Sequence, residues 1–164
     1  MASSKPKVRI LGTGGTISGI GPDRLDFFLY VDIGRFMPIE ELLGRVPEVH
    51  DVADIQAENL VMERSHHLGS KYWITTAQRI NQIFRDEPDV DGIVVTHGTA
   101  TLEEAAFFLH LTVKSRKPVV VTGAMRPASA ISTDADINLL DAVRIAASPE
   151  AAGKGVLTVL NNEI

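Results

Sequence analysis

Two short runs leave this chain few folds to adopt. "DGIVVT" (Asp91–Thr96) and "PVVVTG" (Pro118–Gly123) are unbroken apolar stretches rich in β-branched residues, each stopped by turn-forming or polar neighbours. A strand with one wet face alternates apolar and polar residues. A strand read as continuous valine and isoleucine is buried on both faces, as in parallel sheets covered by helices. Between the two runs, Leu102, Ala105, Ala106 and Leu109 recur at helical spacing. The same alternation continues in both directions. "KVRIL" (Lys7–Leu11), "DIQAENLVM" (Asp54–Met62) and "GVLTVLNN" (Gly155–Asn162) read as strands. "PIEELLGRV" (Pro38–Val46) opens with proline and glutamates, which suit a first helical turn. From Lys71 to Phe84, Trp73, Ala77, Ile80 and Phe84 share one helical face; from Asp134 to Ala147, Ile137, Leu140 and Val143 are expected to face inward. No repeat or low-complexity linker interrupts the pattern. Strand–helix alternation at this spacing predicts an α/β domain with a doubly wound, mostly parallel sheet and helices on both faces. The 164 residues suffice for one such domain, 1–164, with a sizeable core.

In sheets of this kind ligands bind beyond the carboxyl ends of the strands. Two loops there stand out: "GTGGTIS" (Gly12–Ser18) after the first strand and "THGTAT" (Thr96–Thr101) after the third. They are expected to converge on one crevice. Composition narrows what that crevice takes. Twenty-one acidic against 16 basic residues give a net charge of −5, which disfavours nucleic acid and anionic membranes as partners. The chain has no cysteine, so thiolate catalysis, disulfides and cysteine-ligated metal are excluded. It has no run approaching the roughly 18 apolar residues of a membrane span and no secretory-signal pattern near its start, so a cytoplasmic location is expected.

The glycine-rich loop fits a nucleotide cradle poorly. Counted from Gly12, the sixth place of G-x-G-x-x-G is Ile17, and no Gly-Lys-Ser/Thr follows for a P-loop. Two readings stay open for its hydroxyls. Thr13, Thr16 or Ser18 is a nucleophile beside amides able to stabilise an oxyanion, or all three bond to local backbone. In the other loop, Thr101 and Glu104 form a T-x-x-E capping box, with Glu103 and Glu104 at the positive end of the helix dipole. His97 is either a base or a histidine fixed to the turn. His66–His67 lacks the i, i+4 spacing of a zinc pair and shows no evident carboxylate partner, so no metal is expected.

Taken together, "ILGTGGTISG", "VTHGTATLEEAAFFLHLTVKSRKPVVVTGAMRP" and "DINLLDAV" resemble the N-terminal domain of bacterial-type L-asparaginases and glutaminase-asparaginases. The resemblance runs from about Val8 to the end of the chain, with two active-site motifs in order plus "GAMRP" (Gly123–Pro127). It implies hydrolysis of the side-chain amide of L-asparagine to L-aspartate and ammonia, with no cofactor, in a homotetramer built of close dimers. By the same resemblance, Thr16 is the nucleophile, Tyr30 assists it and closes the site, and Thr99 is the second catalytic threonine. Ser65 holds the substrate α-carboxylate, and His66, Gly98 and Ala100 complete the substrate contacts.

This chain departs from the family pattern in five respects. At position 66 the family often carries glutamine. At position 100 it carries an aspartate that grips the substrate ammonium and joins a threonine–lysine–aspartate relay; here stands Ala100. Loss of one such charged hydrogen bond costs on the order of 1.5–3 kcal/mol. The relay lysine is expected just beyond the final strand, which neither Lys114 nor Lys117 matches, and the family's C-terminal domain is absent from these 164 residues. In "PDRLDFFLY" (Pro22–Tyr30), Leu25, Phe27, Phe28 and Leu29 occupy a usually small, polar lid; they form either an exposed apolar patch or core filling. Weak or absent asparagine hydrolysis by this chain alone is therefore expected. The alternatives are a catalytically inactive binding module and an amidohydrolase for an amide without an α-ammonium group.

Overall fold

A computed structural model describes residues 5–164. In chain order its strands are β1 (Lys7–Gly14), β2 (Gly19–Ile20), β3 (Arg35–Phe36), β4 (Asp54–Glu63), β5 (Gly92–Thr96), β6 (Val119–Thr122) and β7 (Val156–Val159). The helices are α1 (Tyr30–Ile33), α2 (Ile39–Arg45), α3 (Val49–Val52), α4 (Ser70–Asp86), α5 (Leu102–Thr112) and α6 (Ala135–Ala146). Five strands form one parallel sheet in the order β4-β1-β5-β6-β7, and β2 and β3 form a separate two-residue ribbon.

Side chains of adjacent strand residues point to opposite faces, and both faces here are dry. Ile10, Val94 and Val120 enter one core with Leu42, Val49, Leu139 and Val143 from α2, α3 and α6. Leu11, Ile93, Val95, Val119 and Val121 enter the other with Ile80 and Ile83 from α4 and Leu102 and Leu109 from α5. Every residue of β5 and β6 is buried, as the continuous apolar runs require. The sheet is thus doubly wound, with helices on both faces.

Two helical faces differ from the sequence pattern. On α6, Ile137 is exposed and Leu139 points inward in its place. The cause is polar: fully buried Asn138 donates to the Gly123 carbonyl at 2.9 Å and accepts from the Asn161 amide at 2.9 Å. That pairing rotates the helix to a phase that counting apolar residues alone misses. On α4 the buried line is Ala77, Ile80 and Ile83; Trp73 and Phe84 sit half-buried at its flank, with the Trp73 and Phe108 ring centroids 5.9 Å apart.

The strand order places the site. From β1 the chain crosses to β4 on one side, then returns to β5 on the other, so the winding reverses between β1 and β5. Loops leaving neighbouring carboxyl ends at such a reversal part in opposite directions and open a crevice. These are the two loops singled out above.

Candidate active site

Three single turns of 3-10 helix meet at this crevice: Thr16–Ser18 after β1, Ser65–His67 after β4 and Thr99–Thr101 after β5. Their approach is so close that it dictates glycine. A Cβ on Gly15 would stand 2.3 Å from the Gly98 Cα, and a Cβ on Gly98 would stand 2.6 Å from the Ser65 Oγ. Gly15 also has φ 78°, in the left-handed region that side chains avoid. The glycine-rich turn therefore opens into a 3-10 turn rather than a phosphate-binding helix.

The three hydroxyls of the first loop now separate. Thr13 is buried and its Oγ1 donates to the Thr96 carbonyl at 2.8 Å, stitching β1 to β5. Ser18 is buried and its Oγ donates to the Gly15 carbonyl at 3.2 Å. Thr16 lines a cavity of about 260 Å³. Its Oγ1 lies 3.2 Å from the Tyr30 hydroxyl. Around the same cavity are Ser65 and His66 from the second turn, Gly98, Thr99 and Ala100 from the third, and Tyr30, Val31, Phe36 and Arg64. Every residue assigned to the site from the sequence lies on it. Sequence reasoning passed over Arg64, Val31 and Phe36; a cation next to Ser65 was the available signal for the first.

The lid is positioned by one carboxylate. Asp26 accepts hydrogen bonds from the Leu29 and Tyr30 amides, each at 2.9 Å, and thereby fixes the start of α1. The Tyr30 ring then lies over Gly19, where a Cβ would come within 2.8 Å of the ring. Leu25, Phe28 and Leu29 are exposed, so the core-filling reading of the lid does not hold.

Thr101 does not form the expected capping box. Its Oγ1 donates instead to the Ser65 carbonyl at 3.0 Å, tying the third turn to the second, and α5 has no side-chain cap bond at its start. His97 is 3% exposed; its Nδ1 lies 2.9 Å from the Gly98 carbonyl, and its Nε2 has no partner among the described residues. Burial pushes its pKa below the ordinary 6.5, against the Gly98 carbonyl and Glu104, which raise it. A neutral ring fixed to the turn is the outcome. His67 does have a carboxylate partner, Glu63, 3.1 Å from its Nδ1. The Lys117 Nζ donates to the Pro88 and Val90 carbonyls, on the chain entering β5.

Fold and site together define a doubly wound α/β domain with a hydroxyl-lined, small-molecule-sized crevice at its switch point. The chain belongs to the asparaginase family: residues 7–164 match the family model described as "Asparaginase, N-terminal". It is 48% identical to L-asparaginase 2 of Bacillus subtilis over 97% of this chain and 42% of that protein. Glutaminase-asparaginase of Pseudomonas fluorescens is 42% identical over 96% of this chain and 42% of its own length. A crystal structure of a probable cytoplasmic L-asparaginase from Campylobacter jejuni superimposes with a TM-score of 0.89 at 41% identity, covering 96% of this chain and 46% of that one. The chain thus spans less than half the length of these relatives.

Proposed function

We propose that the crevice hydrolyses a small carboxamide by acyl transfer through Thr16, as an asparaginase-type amidohydrolase. One observation carries this reading: of the three hydroxyls in the first turn, Thr16 alone lines the cavity, and a second hydroxyl, that of Tyr30, stands 3.2 Å from it. In the proposed reaction the Thr16 oxygen attacks the amide carbon and its proton passes to the Tyr30 oxygen. The Tyr30 proton goes to the departing nitrogen, which leaves as ammonia. Water then attacks the acyl-threonine, releases the acid and returns the proton to Thr16. Amides of the glycine-framed turns stabilise the oxyanion. Thr99 assists from the facing turn, and Ser65, His66, Gly98 and Ala100 seat the substrate. The relatives, named as L-asparaginases and glutaminase-asparaginases, support an amide of small-acid type.

Thr16→Ala is expected to lower ammonia release roughly a thousandfold with the melting temperature unchanged. Full activity in that variant would remove Thr16 from the mechanism. A second reading, a binding module without turnover, is favoured by Ala100, which lines the cavity where the family pattern carries an aspartate. Tight ligand binding with no ammonia release separates the two. The same proposal places residues 1–164 as one domain, in a homo-oligomer and in the cytoplasm. Exposed apolar residues support the oligomer, and the Campylobacter neighbour's description supports the compartment.

A further inference from the structure

We infer that Thr101 is a positioning residue of the crevice: its hydroxyl, bonded to the Ser65 carbonyl, sets how far the turn carrying Ser65 stands from the turn carrying Thr99. Only the reaction assayed rests on the amidohydrolase reading; the tie between the turns does not. Each pair of the three turns is joined in its own way. The Gly15 amide donates to the Glu63 carbonyl at 2.9 Å, holding the first turn to the end of β4, from which the second turn leaves. The first and third turns are fixed through the paired ends of β1 and β5 and through Gly15 lying against Gly98. Between the second turn and the third, the 3.0 Å bond from the Thr101 Oγ1 to the Ser65 carbonyl is the one hydrogen bond among the described residues.

That hydroxyl is withheld from the helix that follows. Thr101 and Glu104 have the spacing of a capping box, yet α5 starts without a side-chain cap bond. A local preference overridden in the folded chain is a mark of functional or strained positions. Thr101 does not line the cavity, so it acts through Ser65 and, two positions before it, Thr99, which both do. The Ser65 carbonyl also accepts the Leu68 amide at 2.9 Å, so the peptide that Thr101 grips is the one that closes the second turn. Contact of the Ser65 Oγ with Gly98 limits how near the two turns come; the Thr101 bond limits how far they part. The separation matters because a displacement of about 1 Å costs up to roughly a hundredfold in rate.

Thr101→Val keeps the shape of the side chain and removes the donor, Thr101→Ala removes the donor without crowding the turn, and Thr101→Ser keeps the donor. Amide hydrogen exchange of the purified chain is followed by nuclear magnetic resonance, and ammonia release from L-asparagine is measured in parallel. In Thr101→Val and Thr101→Ala the Leu68 amide is expected to exchange about tenfold faster than in the wild type, with the amides of β5 and β6 unchanged. In both, kcat is expected to fall and KM to rise, each by a factor of about three or more, while Thr101→Ser stays close to the wild type in every measurement. A purely structural role would leave kcat and KM unmoved. Unchanged Leu68 exchange in both variants, wild-type kcat and KM in both, or Thr101→Ser behaving like Thr101→Val overturns the inference. A wild-type chain that releases no ammonia removes the hydrolase reading alone, and Leu68 exchange then decides for or against the tie. Loss of ammonia release in Thr16→Ala, with Thr101→Val at full rate, upholds the hydrolase reading and overturns the role of Thr101.

Discussion

His97 stands one position before a cavity residue and does not line the cavity itself, yet it tells where the site is sensitive to acid. Its imidazole is buried, neutral and bonded to the Gly98 carbonyl, with a pKa below the ordinary 6.5 because burial disfavours its charged form. In the unfolded chain the ring recovers its ordinary value and binds a proton more readily. Between the folded and unfolded values the unfolded state therefore holds more protons, and stability rises with pH. Its contribution is fully present above about 6.5 and is lost as pH falls through the folded value. Glu63 acts in the same sense lower down, since its pKa is held below 4.5 by the Arg64 amide and His67. Melting temperature followed from pH 7.5 downward should thus decline first near the histidine range, and in His97→Gln that first decline should flatten. An unchanged slope in the variant would show that His97 does not drive it. At this scale the motifs made Thr16, Thr99 and Ser65 readable from sequence. The resemblance named Thr16, whereas spacing alone did not sort Thr13 and Ser18 from it, because the deciding partners are carbonyls that only the fold identifies. The Thr101 cap failed for the same reason: a carbonyl 36 positions away takes its hydroxyl.

Among the elements, the lid depends on a single side chain. Asp26 holds the first turn of α1, and α1 carries Tyr30 to Thr16. Asp26→Ala removes charge-assisted bonds worth on the order of 1.5–3 kcal/mol from a segment whose apolar residues are exposed. Turnover should fall at least tenfold with little change in melting temperature, and limited proteolysis should cut between residues 22 and 30. An equally protected lid would refute Asp26 as its anchor. Asn138 shows the opposite balance. Asn138→Ala leaves the carbonyl of buried Gly123 without its donor and frees the amide of exposed Asn161, costing about 2 kcal/mol and roughly 4–8 °C of melting temperature. An intact melting temperature would mean that water satisfies both groups. The central strands β5 and β6 were legible because burial on two faces writes itself as uninterrupted valine and isoleucine, and the longer helices because their apolar residues recur at helical spacing. The two-residue ribbon of β2 and β3 and the four-residue α1 and α3 were not, being too short for any period and held by bonds such as those of Asp26.

For the molecule as a whole, alternation of strands and helices announced the doubly wound class but not the order β4-β1-β5-β6-β7: β5 and β6 read alike as fully buried runs, and nothing in either says which one lies beside β1. That order puts the reversal between β1 and β5, and with it the crevice. It also leaves surfaces that the interior does not use. Phe107 and Leu111, one turn apart on α5, are 65% and 68% exposed, and Phe28 on the lid is 82% exposed. Exposed phenylalanine and leucine grouped on one helix face mark an interface more often than a solvated surface, and a second copy of the chain is the partner that the proposed homo-oligomer calls for. Light scattering across a concentration series should then show an assembly larger than 17.8 kDa. The paired change Phe107→Ser, Leu111→Ser should shift it toward monomer with an unchanged circular dichroism spectrum, whereas Phe28→Ser tests whether the lid shares that contact. Mass action ties the two properties, so the wild-type melting temperature should rise with protein concentration and that of the α5 variant should not. A wild-type chain that stays monomeric at every concentration would assign the α5 face to solvent and remove self-association from the proposal.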